Sequence, residues 1–334
     1  MASSSEYLDE SRKRGVCFYG YRIPGRGVRF GSAYSHDCQR EIGKGFVIHP
    51  FLPGDLPVTI PFGNVSGSEE SEELTFNFPY YPTARAFYQK HAGEIIDYLR
   101  RHSDHKVVYS RVIVHTVRKP LAEMFDTLCT EYPKAYVFCF YTPWTGLWLG
   151  ASPEMLADAD GDYFRTLAMA GTMEADKGGP WSDKNKREQK VVADFIRTTL
   201  HDAGAMEIHE RGGQRVAGPV KHLITEFSAR MPEKYHSKTL VSELSPTPAL
   251  SGTPREKALD LIATHEAYSR SCYGGYCGPR YGHGDFHFWV NLRSMRILGD
   301  QCALYVGGGL MPDSDVDSEW EETERKARTL LHIL

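Results

Sequence analysis

Short apolar runs broken by glycine and proline fill residues 15–60, a pattern that predicts strands joined by tight turns. Residues 63–73, rich in glycine, serine and glutamate, read as an exposed loop. Over 84–101, Phe87, Tyr88, Ile95, Ile96 and Leu99 fall near helical spacing, and the β-branched stretch 106–114 follows, so helix then strand is expected. Two more strands are predicted at 136–141 and 146–150, with Pro143 and Gly146 turning the chain between them. The strongest helical pattern is 183–201: Val191, Val192, Phe195, Ile196 and Leu200 form an apolar stripe, and Lys184, Lys186, Arg187 and Lys190 spread over the remainder. Pro254 suits the first turn of a helix that runs to about Glu266. Residues 286–297 alternate as one long strand, 303–306 form another, and 318–331 close the sequence as a helix. Long spans of strand separated by single helices predict an α+β protein. The preferred division is one domain over 1–334, with 1–100 weakly patterned and 101–334 carrying the motifs.

Composition narrows the class without naming a chemistry. With 334 residues, 41% hydrophobic and 25% charged, the chain reads as a soluble globular protein with length enough for a large core. A net charge of -4 gives no basic footprint for nucleic acid. Seven scattered cysteines lack the close pairs of zinc sites, so neither disulfides nor structural zinc are expected, and a reducing cytoplasm fits best. The start, from Met1 to Arg14, is polar, and no later run is long enough to cross a bilayer.

Candidate chemistry lies in several short segments, each bland by itself. Gly150-Ala151-Ser152-Pro153-Glu154 ends a strand and delivers a carboxylate just past it; alone, it is a turn with a solvated glutamate. Leu167-Ala168-Met169-Ala170-Gly171-Thr172 reads as a small glycine-bearing turn whose amides can approach an anion. Lys184-Asn185-Lys186-Arg187-Glu188 and Glu319-Trp320-Glu321-Glu322-Thr323-Glu324 are charged helix starts, solvated faces by default. A hard divalent cation needs only one or two carboxylates and keeps waters, so one glutamate from each helix suffices if the helices meet. Between them lie residues 244–252, the stretch 266–278 with Arg270 and Tyr273-Gly274-Gly275, the pair Leu292-Arg293, and Gly307-Gly308-Gly309.

In this order and spacing, over roughly the last two-thirds of the chain, these segments resemble the chorismate-utilising family that includes isochorismate, anthranilate, aminodeoxychorismate and salicylate synthases. The resemblance implies two large, mainly antiparallel β-sheets packed together with helices outside. It implies that Glu188 and Glu322 ligate Mg2+, which binds the ring carboxylate of chorismate, with Gly171 and Thr172 as further contacts. It also implies that Tyr273 and Arg293 hold the enolpyruvyl carboxylate, with Gly309 and Lys326 nearby, and that His222 supports the ring. A planar guanidinium suits bidentate carboxylate binding.

Within the family, three positions discriminate. Lys106 matches the lysine that resembles a general base for water in isochorismate and salicylate synthases, where the ammonia-using enzymes usually carry glutamine. Ala170 stands where aminodeoxychorismate synthases have a nucleophilic lysine. In Pro246-Thr247-Pro248-Ala249-Leu250, the small aliphatic Ala249-Leu250 pair replaces a threonine usual in anthranilate and salicylate enzymes. The resemblance therefore implies an isochorismate synthase, with Lys106 as a neutral-amine base at ring C2 and Glu154 as the protonated acid at C4, each needing a shifted pKa. A salicylate synthase is the nearest rival, and an idle chorismate-binding or regulatory protein is a rival of another class. Gln189 and Ser245 depart from a family histidine and put secondary contacts in doubt. Chorismate is the expected partner, with no glutamine amidotransferase subunit, a monomeric state, and a product that feeds menaquinone or siderophore biosynthesis.

Overall fold

The computed structural model describes residues 6–69, 80–102, 106–232, 237–282 and 284–334. In chain order its first elements are α1 (Glu6–Lys13), β1 (Cys17–Arg22), β2 (Arg29–Ala33), β3 (Gly45–His49), β4 (Val58–Ile60), α2 (Arg85–Arg101), β5 (Lys106–Thr116) and α3 (Leu121–Glu131). Next come β6 (Tyr136–Thr142), β7 (Gly146–Ser152), β8 (Met155–Asp160), β9 (Tyr163–Glu174), α4 (Asp183–Asp202), β10 (Met206–Ala217) and β11 (Val220–Arg230). The last are α5 (Ser237–Leu244), β12 (Gly252–Thr253), α6 (Arg255–His265), β13 (Tyr276–Gly282), β14 (Asp285–Val290), β15 (Ser294–Leu298), β16 (Gln301–Leu310) and α7 (Val316–Leu331).

The strands form two eight-stranded sheets whose ladders are all antiparallel: β12-β5-β16-β15-β7-β6-β1-β2 and β10-β11-β9-β8-β14-β13-β3-β4. Strand β6 shows why they stack. Tyr136, Phe138 and Phe140 point into an aromatic layer with Tyr19, Tyr21, Phe46, Trp148 and Trp289, while Val137 and Cys139 join Leu121, Phe125 and Leu128 of α3 on the outer face. A strand buried on both faces cannot alternate, which is why it reads as one apolar run. Ring pairs such as Tyr19–Phe46 at 4.8 Å and Tyr136–Trp289 at 5.3 Å fill the space between the sheets.

The helices predicted over 84–101, 183–201 and 318–331 and the strands at 106–114, 136–141 and 146–150 are present within a residue or two. Four expectations change. Residues 286–297 are not one strand: β14 and β15 belong to different sheets, and the chain crosses at Asn291–Arg293. Residues 167–172 form no turn but the middle of β9, and Gly307–Gly309 lie inside β16. Pro254 precedes α6 as its N-cap instead of entering the first turn. The loop predicted at 63–73 is irregular through Glu69, and its remainder lies outside the described residues. No helix among the described residues is long and apolar enough to cross a membrane.

One buried ion pair ties α6 and the segment after it to strand β5. Arg270 donates to Glu266 Oε2 (2.8 Å) and Oε1 (2.6 Å), to Leu250 O (2.8 Å) and to Val108 O (2.7 Å). Glu266 Oε1 also accepts from Ser110 N at 2.8 Å and Ser110 Oγ at 2.7 Å. Both side chains are almost wholly buried. Arg270→Ala strands the Glu266 carboxylate without its cation, and the expected loss is about 3–5 kcal/mol of stability. Urea melts of the variant and wild type measure this, and a loss under about 1 kcal/mol would show the pair to be dispensable.

Candidate active site

Two sheet crossings lie side by side and build one wall of a pocket. Pro153 and Glu154 join β7 to β8, and Asn291, Leu292 and Arg293 join β14 to β15. They are stitched together, because Ala151 N donates to Arg293 O and Val290 N to Glu154 O, each at 3.0 Å. Arg293 takes φ +47, a left-handed conformation that costs a bulky residue about 1–3 kcal/mol and clusters at functional sites. The pocket holds about 620 Å³ of atom-free space including its open mouth.

Lys106, Glu154, Gly171, Thr172, Glu188, His222, Ala249, Leu250, Tyr273, Arg293, Gly309 and Lys326 all line it. Of the catalytic, substrate and metal residues that the family resemblance implies, Glu322 alone stands one layer back, where its Oε1 accepts from Lys326 Nζ at 2.7 Å. Lys326 also donates to Gly307 O at 2.8 Å. Ala170 lines the same wall and offers only a methyl group.

The protonation states follow from burial and neighbours. Glu154 is 2% exposed. Burial pushes it up to about 8, against the pull of Lys106, Arg215 and Lys326, so it is protonated at neutral pH. Arg293 can only donate, so His222 Nε2, 3.1 Å from it, is the acceptor. The His222 proton therefore sits on Nδ1 and is donated to Gly171 O at 3.1 Å. Burial, then the charges of Arg293 and Lys326, hold this imidazole down at about 3, and it is neutral. Burial lowers Arg293 to about 10, which leaves it a cation, and it donates also to Thr329 Oγ1 at 3.1 Å. Burial raises the Tyr273 hydroxyl to about 12, so it remains a donor, with its ring stacked 5.2 Å from that of Tyr305.

The opposite end of the pocket is built by α4, α7 and the glycine run of β16. Glu188 lies four and eight residues before Val192 and Ile196, on the apolar face that α4 turns to β9, so the helix delivers a carboxylate inward. On α7, Glu319, Glu322 and Lys326 share a face by their spacing of three and seven. Each carboxylate meets a lysine: Glu188 Oε1 is 3.0 Å from Lys106 Nζ, Glu319 pairs with Lys184, and Glu322 with Lys326. A Cβ at Gly309 would fall 2.2 Å from Glu188 Oε1 and 2.7 Å from Lys106 Cε; one at Gly308 would lie 3.1 Å from Glu319 Oε2 and 3.5 Å from Glu322 Oε1. The lack of a side chain at Gly309 lets Glu188 and Lys106 close over the strand, and Gly308 leaves Glu319 and Glu322 unobstructed above it. Burial pushes the Glu322 carboxyl up, but Lys326 and Lys184 outweigh it and hold it well below the usual range. Burial and the neighbouring Glu322 push Glu319 the other way.

This donor set fits a hard divalent cation. It offers carboxylate oxygens from two helices, room above the glycine run, and in Glu319 Oε2 a buried oxygen without a partner. Lys184 and Glu319 were not singled out from the sequence. The signal was available, since Glu319 is three residues before Glu322 on one helical face, whereas Glu321 and Glu324 turn to Arg85 and Arg111. Gln189 has a full set of partners: its Oε1 accepts from Ala170 N at 2.7 Å, and its Nε2 donates to Ala168 O and Thr225 Oγ1, each at 3.2 Å. It pins α4 to β9 and makes no demand on the pocket. Ser245 is buried and continues the end of α5 through a bond from its N to Val241 O.

Known proteins share this plan. The sequence model of the chorismate binding enzymes matches residues 67–334. Isochorismate synthase EntC of Escherichia coli K12 is 30% identical over 242 residues, 68% of this chain and 62% of its own length, so the chain spans less than two-thirds of that relative. Anthranilate synthase component 1 of Saccharolobus solfataricus is 24% identical over 298 residues, 85% of this chain and 70% of its own. The solved structure of MenF, the menaquinone-specific isochorismate synthase from Escherichia coli, superimposes with a TM-score of 0.78 at 20% identity, over 98% of this chain and 91% of that one, and so shares the fold. With the matched region carrying the whole pocket, the chain belongs to the family of chorismate-binding enzymes.

Proposed function

We propose that this chain is an isochorismate synthase, interconverting chorismate and isochorismate by adding water at ring C2 and expelling the C4 hydroxyl. One observation carries the reading: a buried amine, Lys106, and a buried carboxyl held protonated at neutral pH, Glu154, line one pocket that offers no second amine at Ala170. Lys106 takes a proton from water as its oxygen bonds to C2. The ring double bonds shift, the C4–O bond breaks, and Glu154 gives its proton to the departing hydroxyl, which leaves as water. Arg293 and Tyr273 orient the enolpyruvyl carboxylate, and neutral His222 keeps Arg293 in place from behind. We assign Mg2+ to Glu188 and Glu322, with Glu319 beside them; when bound, the ion neutralises the ring carboxylate. With water as nucleophile, no glutamine amidotransferase subunit is required. We place the product at the head of menaquinone or siderophore assembly.

The test is product analysis in heavy-oxygen water with magnesium at neutral pH. Label at ring C2, negligible free pyruvate and no aminated product in ammonium salts are expected. The reaction should also run from isochorismate and settle at a mixture, because one hydroxyl replaces another of similar energy. Stoichiometric pyruvate with salicylate would instead make the chain a salicylate synthase, and binding without turnover would make it an idle member of the family.

A further inference from the structure

Away from the pocket, helices α2 and α6 bring together a second set of donors. His91 Nδ1 and His265 Nδ1 lie 3.0 Å apart, and Glu94 Oε2 lies 3.1 Å from the first and 3.4 Å from the second. The two imidazoles are mostly buried, and Glu94 is half exposed, so the cluster has a closed side and a side open to solvent.

Hydrogen bonding alone leaves this triangle frustrated. Each Nδ1 has one proton or one lone pair to offer, so three mutual contacts cannot all be made at once. A cation at the centre satisfies all three. Bonds of about 2.0–2.2 Å in tetrahedral geometry separate neighbouring ligand atoms by roughly 3.3–3.6 Å, close to the observed edges. Two imidazole nitrogens with one carboxylate oxygen suit zinc and its first-row neighbours, whereas magnesium prefers oxygen alone.

We propose that His91, Glu94 and His265 form a zinc-class metal site, separate from the carboxylates of α4 and α7, that clasps α2 to α6 and leaves its fourth position to water. His91 and Glu94 come from one face of α2 at a spacing of three, and His265 from the last turn of α6. The clasp reaches the catalytic strand: His265 O accepts from Tyr109 OH at 3.2 Å, and the next residue, Glu266, holds Ser110 of β5, the strand that begins at Lys106. The site lies outside the pocket, because none of His91, Glu94 and His265 lines it.

The test uses the full chain in excess Mg2+, so that the pocket carboxylates are already occupied. Wild type should bind one equivalent of Zn2+ in equilibrium dialysis, give the visible absorption of four- or five-coordinate cobalt when Co2+ is added, and melt a few degrees higher with zinc at a hundred times Kd. His91→Gln and His265→Gln should each lower zinc affinity by at least tenfold and remove the cobalt spectrum, while the zinc-free melting temperature and turnover stay near wild type. Equal zinc stoichiometry and spectra in wild type and both variants, or no binding by wild type in magnesium, would overturn the proposal.

Discussion

Glu154→Gln is expected to lower kcat by about 10²–10⁴-fold, the usual contribution of a positioned general acid, with KM little changed. The amide keeps the shape of the buried side chain but cannot release a proton to the C4 oxygen. The pH profile supplies a second readout. Glu154, raised by burial to about 8, is the competent acid below that value and an ionised bystander above it. Wild-type kcat/KM should therefore fall as pH rises through about 8, and the residual rate of Glu154→Gln should lack that alkaline limb. Lys106 needs a different control, because it also pairs with Glu188 at 3.0 Å. Lys106→Arg retains a cation beside Glu188, but a guanidinium keeps its proton at any working pH. It should be as inactive as Lys106→Ala while still binding chorismate. Turnover near wild type in either the Glu154 or the Lys106 variants would remove that residue from the acid–base pair.

Most of this pocket was legible in the sequence because its donors sit on elements with strong local patterns. The stripe of Val192, Ile196 and Leu200 defines the face of α4, and Glu188 falls on it by counting back four residues. The strand crossings were not legible. Residues 286–297 alternate in outline; the apolar positions change phase at Arg293–Ser294, and the tertiary pairing of β14 with β8 and of β15 with β7 gives that change its meaning, a crossing between sheets at Asn291–Arg293. The turn expected at 167–172 failed for a related reason. Gly171, at φ +70, marks an irregularity in the β9–β11 ladder where the register slips between His222 and Leu223, and a local reading cannot separate a bulge from a turn. Helix α3 was missed although Leu121, Met124, Phe125 and Leu128 have helical spacing. The β10–β11 hairpin was invisible for a physical reason: β10 is largely exposed on both faces, and its charges are matched across strands, as in Arg211–Glu226, so it carries no apolar period.

Glu188→Gln and Glu322→Gln should each weaken Mg2+ binding by more than the 10–100-fold typical of losing an outer-shell partner, with turnover falling in step at fixed magnesium. Both substitutions preserve side-chain volume, so the packing of the two helices over Gly308 and Gly309 is kept. Their local consequences differ. Glu322→Gln leaves Lys326 without its carboxylate at 2.7 Å, and that lysine can then turn toward an anionic substrate. Glu188→Gln instead frees Lys106 from its partner at 3.0 Å. Calorimetric titration of magnesium separates these effects from catalysis. Loss of the binding isotherm in both variants and partial recovery of turnover as magnesium is raised together identify the two acids as ligands. Wild-type magnesium affinity in either variant, or full activity of wild type in excess chelator, would dismiss the metal assignment and leave the three lysine–glutamate pairs as purely electrostatic supports of the pocket.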